Sequence, residues 1–167
     1  MVVLDESIFI YDAIVKSVWA YRDYRPIVRV TGLHQHTCVF GALSMDGKQM
    51  FRQYDDFNAN TFLAYLKQLH RKFPSMILFM DKARQHYRSK IVKEYLEKNE
   101  DTIRVVWFPN ASPEFSAVEE CWRQGEKDLL HCIFYDRFTD LKGSIAEYYR
   151  TKRFRLSIVR YLLREAV

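Results

Sequence analysis

The side chains best placed to do chemistry in this sequence are carboxylates. Asp5 and Glu6 sit in the middle of a β-branched and aliphatic run, Val2 to Ile10. Asp81 directly follows the apolar run Met76 to Met80, and Glu119 with Glu120 lies one turn into an amphipathic segment that starts near Ser116. Carboxylates that end or interrupt buried strands are costly unless something compensates their charge. Three that meet without a basic neighbour repel one another, and a divalent cation is the natural remedy. Oxygen-only donors suit magnesium or manganese, which keep several waters and bind phosphate as well. Two such ions, about 3.5–4 Å apart, activate an attacking oxygen and stabilise a leaving one in phosphoryl displacement. The chemistry expected of Asp5, Asp81 and Glu119 is therefore metal-dependent cleavage or transfer of a phosphodiester.

Each acid also has a plainer reading. Asp5 can be a strand-edge charge that discourages pairing, and Asp81 can cap the turn that follows it. Ser116-x-x-Glu119 has the form of a capping box. Asp55 and Asp56, beside Asn58 and Asn60, precede a helix and are expected to cap or to be solvated. His86 is a second-tier candidate, because a histidine in such a place is more often structural than reactive. His34 and His36 alternate on one strand face, but no third metal ligand stands at a suitable spacing.

The elements that must bring these residues together can be read from periodicity. Val2–Ile10, His36–Met45, Lys48–Tyr54, Met76–Met80 and Ile103–Phe108 have strand character, and Asp46-Gly47 marks a hairpin between the second and third. Asn60 is expected to cap a helix from Thr61 to Lys72 that Pro74 stops, and a second helix is expected from Gln85 to Lys98. From Ser116 onward, Val118, Trp122, Gly125 and Leu129 share one stripe, which reads Trp122 as core. Helical segments near Leu141–Tyr149 and Phe154–Leu163 finish the chain. The order predicts an α/β fold of RNase H-like type. Its mixed sheet has about five strands, the first three antiparallel and the last two parallel to the first, flanked by helices. Open sheets of this kind hold ligands at the carboxyl ends of their strands, where Asp5 and Asp81 would meet.

Bulk properties set the frame. A chain of 167 residues, 49% hydrophobic and 28% charged, fits one folded domain and argues against disorder. The net charge of +5 favours an anionic partner. From Arg137 to Val167 eight Lys or Arg face three acids. Within that basic helical end, Lys152, Arg153 and Arg155 are the candidates for phosphate contacts, against the plainer reading of a solvated helix face. Cys38, Cys121 and Cys132 form no C-x-x-C pair and are odd in number, which argues against a disulfide framework or a zinc knuckle and fits a cytoplasmic location. No apolar run is long enough to span a bilayer, so no membrane role is expected.

The motifs resemble the mariner-like and related insertion-sequence transposases of the DDE superfamily, and the resemblance covers nearly the whole chain. Asp5-Glu6-Ser7 with Trp19-Ala20 and Arg25-Pro26 is similar to the family's first-acid block. Val39-Phe40-Gly41-Ala42 is similar to its second strand, and Met80-Asp81-Lys82-Ala83-x-x-His86 to its second-acid block. The most specific stretch runs from Phe108 to Trp122 and resembles the family's proline loop, third acid and tryptophan. In that register Glu119 is the third acid, Glu120 its neighbour, and 37 residues separate Asp81 from Glu119. Lys82 replaces the usual Asn, and Phe115-Ser116-Ala117 the usual Leu-Asn-Pro. The family's amino-terminal helix-turn-helix has no counterpart within residues 1–167.

The resemblance implies a DNA transposase catalytic domain that uses two Mg²⁺ or Mn²⁺ ions. Its partners would be double-stranded DNA at element ends and at the target, with a possible homodimer on DNA. A nucleoid-associated place is implied if the source is prokaryotic. Two other classes share the same acids: a stand-alone RNase H-like nuclease that cuts without joining, and a decayed remnant that only binds DNA or a protein partner.

Overall fold

The computed structural model describes residues 1–163 apart from 18, 26, 110 and 111, with the side chains of residues 85 and 113 also set aside. Pro26 of the first-acid block, Asn110 and Ala111 of the proline loop, and the tail from Arg164 lie outside the described residues.

Five strands form one sheet: β1 (Val2–Ile10), β2 (His36–Ser44), β3 (Gln49–Tyr54), β4 (Met76–Met80) and β5 (Ile103–Trp107). Their spatial order is β3-β2-β1-β4-β5. The first three pair antiparallel, and β4 runs parallel to both β1 and β5, as the element order predicts. Gly47 takes a φ of 78° in the β2–β3 turn, the left-handed backbone that its lack of a Cβ makes inexpensive. β1 is central and β3 and β5 are the outer edges, so Asp5 does not guard an outer edge of the sheet.

Side chains of a strand alternate between faces, and here the alternation sorts two cores. Val2 and Leu4 of β1 pack with Phe40, Phe62, Tyr65, Leu66 and Val92 beneath α1 (Ala59–Lys72) and α3 (Lys90–Lys98). Val3 and Phe9 pack with Val39, Phe51, Trp122, Ile145 and Tyr149 beneath α4 (Ala117–Leu129) and α5 (Phe138–Thr151). Asp5 therefore falls on the α4 side and Glu6 on the α1 side. Burial of this kind is worth roughly 25 cal/mol per Å² of apolar surface.

Three local expectations are corrected. The cap of α1 is Asn58 rather than Asn60: its side chain accepts from the backbone N–H of Asn60 and Thr61, and Thr61 Oγ1 accepts from Asn58 N–H. The reciprocal bond with Thr61 decides the position. The second helix is broken into α2 (Arg84–Tyr87) and α3, since Arg88 and Ser89 leave the helical ladder. The last helix is only α6 (Ile158–Leu162). Lys152, Arg153 and Arg155 lie in the extended link between α5 and α6, so a solvated helix face does not describe them. No helix among the described residues is long and apolar enough to cross a membrane.

Candidate active site

The cleft forms where β1 and β4 part company. Their parallel pairing is confined to Val2 with Leu78 and Val3 with Phe79, and continuing that register by two places sets Asp5 beside Asp81. Beyond that point β1 keeps only β2 as a neighbour, while the chain after Met80 turns away. Glu119 enters from the first turn of α4, which leads out of the loop after β5. Asp5, Asp81 and Glu119 together with Lys82, Ser116 and Phe108 line one cleft of about 260 Å³.

Asp5 is held from three sides. Its Oδ1 accepts from the backbone N–H of Glu6 at 2.9 Å. Its Oδ2 accepts from the indole N–H of Trp122 at 3.3 Å and from the Ser116 hydroxyl at 3.4 Å. Trp122 is core, as its stripe predicts, yet its one polar atom points at the carboxylate. Ser116 makes no side-chain cap bond to α4, so the capping-box reading of Ser116 and Glu119 is not what the helix uses. Burial, reinforced by the charges of Glu6, Glu119 and Asp81, pushes the Asp5 carboxyl up to about 8. Glu119 is raised in the same way, by burial first and then by Glu126, Glu6 and Asp81.

Asp81 is partly satisfied by its own chain. Its Oδ1 accepts from the Ala83 N–H at 3.1 Å and lies 2.8 Å from His86 Nδ1. Burial alone would raise Asp81, but these bonds and the His86 charge outweigh it and its carboxyl is lowered. The turn-capping role of Asp81 thus coexists with its place in the cleft.

His86 is fully buried, tilted against the Phe62 ring at 4.0 Å between centroids. Burial would lower it, yet the carboxylates of Asp81 and Glu6 push it up to about 9. Its Nε2 stands 3.4 Å from Glu6 Oε2, near enough for charge attraction but without an aligned hydrogen bond. The expectation of acids with no basic neighbour needs this correction: an imidazolium sits behind them. Ligand atoms of Glu6, Asp81 and His86 lie within 4.8 Å of one another, a second grouping that can bind a cation and that shares Asp81. Glu6 and His86 are secondary candidates by sequence, and the strand period, which sends adjacent Asp5 and Glu6 to opposite faces, is the signal that places Glu6 on the His86 side.

Other candidates fall elsewhere. Glu120 is bound by Arg123 at 2.7 Å and by Gln124 at 2.7 Å, which lowers its carboxyl and turns it from the cleft. Lys82 is exposed at the cleft lip. His34 and His36 are exposed, and Asp55 pairs with Lys142. The donor set fits divalent cations: carboxylate oxygens face one opening, and burial first, with repulsion among the acids added to it, raises Asp5 and Glu119.

A family profile described as DDE superfamily endonuclease matches residues 1–142, and the chain belongs to that family. Among solved structures it is similar to the Mos1 transposase paired-end complex with left transposon end, at 18% identity and a TM-score of 0.72, over 98% of this chain and 52% of that one. It is similar to the Mos1 mariner paired-end complex with Mn at 18% identity and a TM-score of 0.68, over 98% and 51%. A simian T-cell lymphotropic virus intasome is more distant, at 11% identity and a TM-score of 0.55, over 96% and 46%. These likenesses establish the RNase H-like fold, and the chain spans about half the length of the transposase chains it matches. No curated protein matches the sequence.

Proposed function

We propose that this chain is the catalytic domain of a mariner-like DNA transposase, in which Asp5, Asp81 and Glu119 hold two Mg²⁺ or Mn²⁺ ions against a DNA strand. The observation that carries the reading is the convergence of these three acids on one cleft, at the place where β1 and β4 separate. Bound there, the ions would supply an activated attacking oxygen and stabilisation of the leaving oxygen. The chain's own part is positioning. Trp122 and Ser116 fix the outer oxygen of Asp5. Ala83 N–H and His86 fix Asp81, with Glu6 behind the imidazole as its counter-charge. Lys82 at the lip meets the phosphate as a point charge.

The reaction class is hydrolysis of a phosphodiester at an element end, followed by attack of the freed 3′-hydroxyl on target DNA. One constellation serves both steps, and no covalent protein intermediate is required. The mariner paired-end complexes with Mn and with Mg support divalent ions, and those with transposon ends support DNA as the partner. Joining two ends calls for assembly on DNA, most simply as a homodimer.

Nicking of supercoiled plasmid in Mn²⁺ tests the hydrolytic half. Wild type should nick and Asp81→Asn should not, while its fold and DNA affinity persist; nicking by the variant at the wild-type rate removes Asp81 from the site. Supplying a pre-cut end with a 3′-hydroxyl then separates a transposase, which joins it to plasmid, from a nuclease, which does not.

A further inference from the structure

A cavity of about 530 Å³ lies away from the acid cleft, along the outer edge of β3. Five cations face it: Lys48 from the hairpin turn, Arg52 from β3, Lys72 from the last turn of α1, Arg150 from α5 and Arg153 from the link after it. They come from both faces of the sheet, because Arg52 and Lys72 belong to the α1 layer while Arg150 and Arg153 belong to the α5 layer. Gln49 gathers the layers. Its backbone carbonyl accepts from Lys72 Nζ at 2.8 Å, its side-chain amide donates to the Lys152 carbonyl at 2.5 Å, and its Oε1 accepts from Phe154 N–H at 3.0 Å.

Counter-charge is scarce here. Asp46 pairs with Lys48 at 2.6 Å and Glu147 pairs with Arg150 at 2.5 Å. Among the described residues no carboxylate lies within ion-pair distance of Arg52, Lys72 or Arg153. Lys72 feels the crowding: burial first, then Arg52, Arg153 and Lys48, lowers its ammonium. Charges on an edge strand also deter strand addition, and Lys72 and Arg52 do occupy the edge carbonyls of Gln49 and Phe51. That purpose is served by one or two charges; it does not explain five drawn from five separate segments around a cavity.

We propose that this edge cleft is a second DNA-contacting site, binding the phosphodiester backbone of duplex DNA without sequence preference through Arg52, Lys72 and Arg153. The proposal rests on DNA being the substrate of the acid cleft. It extends the phosphate-binding surface from the carboxyl-terminal link, where Arg153 was expected to act with Lys152 and Arg155, to the far edge of the sheet. β3 is two strands from β1, about 10 Å at the usual strand spacing.

The test is fluorescence anisotropy with a labelled random-sequence 30-base-pair duplex in EDTA, titrated across KCl concentrations. Each phosphate contact contributes about 0.9 to the slope of log K against log salt. The triple variant R52Q/K72Q/R153Q should lose roughly 2 to 3 from that slope and bind on the order of tenfold or more weakly. D46N/E147Q, which strips the two counter-charges, should bind more tightly than wild type. K90Q/K93Q/K98Q, on the exposed face of α3, removes the same net charge and should keep the slope. A wild-type slope in the first variant, or an equal loss in the α3 variant, overturns the edge site; melting curves verify that all four proteins are folded. Plasmid nicking in Mn²⁺, run in parallel, keeps the two readings apart. Nicking with an unchanged slope sinks the edge site alone, and a wild type that neither nicks nor binds duplex sinks both.

Discussion

Replacing Asp5 by Asn should stabilise the metal-free protein, the reverse of what removing a well-bonded buried residue normally does. Burial first, and then the charges of Glu6, Glu119 and Asp81, push the carboxyl up to about 8. In the unfolded chain it ionises near 3.9, and each tenfold in proton affinity is worth about 1.4 kcal/mol. At pH 7 the folded site must either take up a proton or carry the repelled charge, which costs roughly 4 kcal/mol by this reckoning. Water entering an open cleft screens part of it, which brings the expectation to about 2–4 kcal/mol. Asn keeps one oxygen to accept from Trp122 and gives up the one that accepts from Glu6 N–H, a loss of about 1 kcal/mol that lowers the expectation towards the bottom of this range. For a chain of this size 1 kcal/mol moves the melting temperature by about 2–4 °C, so Asp5→Asn should melt on the order of 5 °C or more above wild type in EDTA at pH 7.

The pH dependence carries a sign. A carboxyl raised on folding destabilises most above its folded value and ceases to do so below its unfolded value. The advantage of the variant must therefore shrink as pH falls from 8 towards 4. Mn²⁺ at a thousandfold its Kd should reverse the ranking, since it adds about 4.1 kcal/mol to a protein that binds it. Scanning calorimetry at several pH values, with EDTA and with Mn²⁺, makes the comparison. A variant that melts at or below wild type in EDTA at pH 7, or whose advantage grows on acidification, refutes the account of a buried, repelled charge at the site.

Three further outcomes follow from the geometry. Glu119→Gln should remove Mn²⁺-dependent nicking whereas Glu120→Gln keeps most of it, because Glu120 is already engaged by Arg123 and Gln124; the opposite ranking in the plasmid assay would shift the third acid by one place. Trp122→Phe deletes the indole donor to Asp5 Oδ2. Since partners behind a metal ligand typically contribute 10–100-fold in metal affinity, the Mn²⁺ concentration for half-maximal nicking should rise by roughly tenfold or more. An unchanged Mn²⁺ dependence would reduce Trp122 to a packing residue. Asn58→Ala breaks the reciprocal cap of α1 and should cost about 1 kcal/mol in denaturant unfolding, with Asn60→Ala nearly neutral; equal effects would contradict the assigned cap.

The sequence by itself determined the sheet and singled out the three acids that line one cleft. Period-two runs, the Asp46-Gly47 turn and the alternation of strands with helices encode local preferences, and local preferences need no partner to be read. The same holds for Asp81 after Met76–Met80 and for Glu119 one turn into α4, where position within an element predicts direction. Only the tertiary structure decided what surrounds each charge. That β1 is central, that β1 and β4 separate beside Asp5 and Asp81, and that Trp122 turns its N–H toward a carboxylate 117 positions earlier are long-range facts. So are the buried imidazole between Asp81 and Glu6 and the gathering of Arg52, Lys72 and Arg153 at one sheet edge. Chain order fixes which face a side chain takes. Electrostatics depends on distance through space, and that distance exists only once the layers have packed.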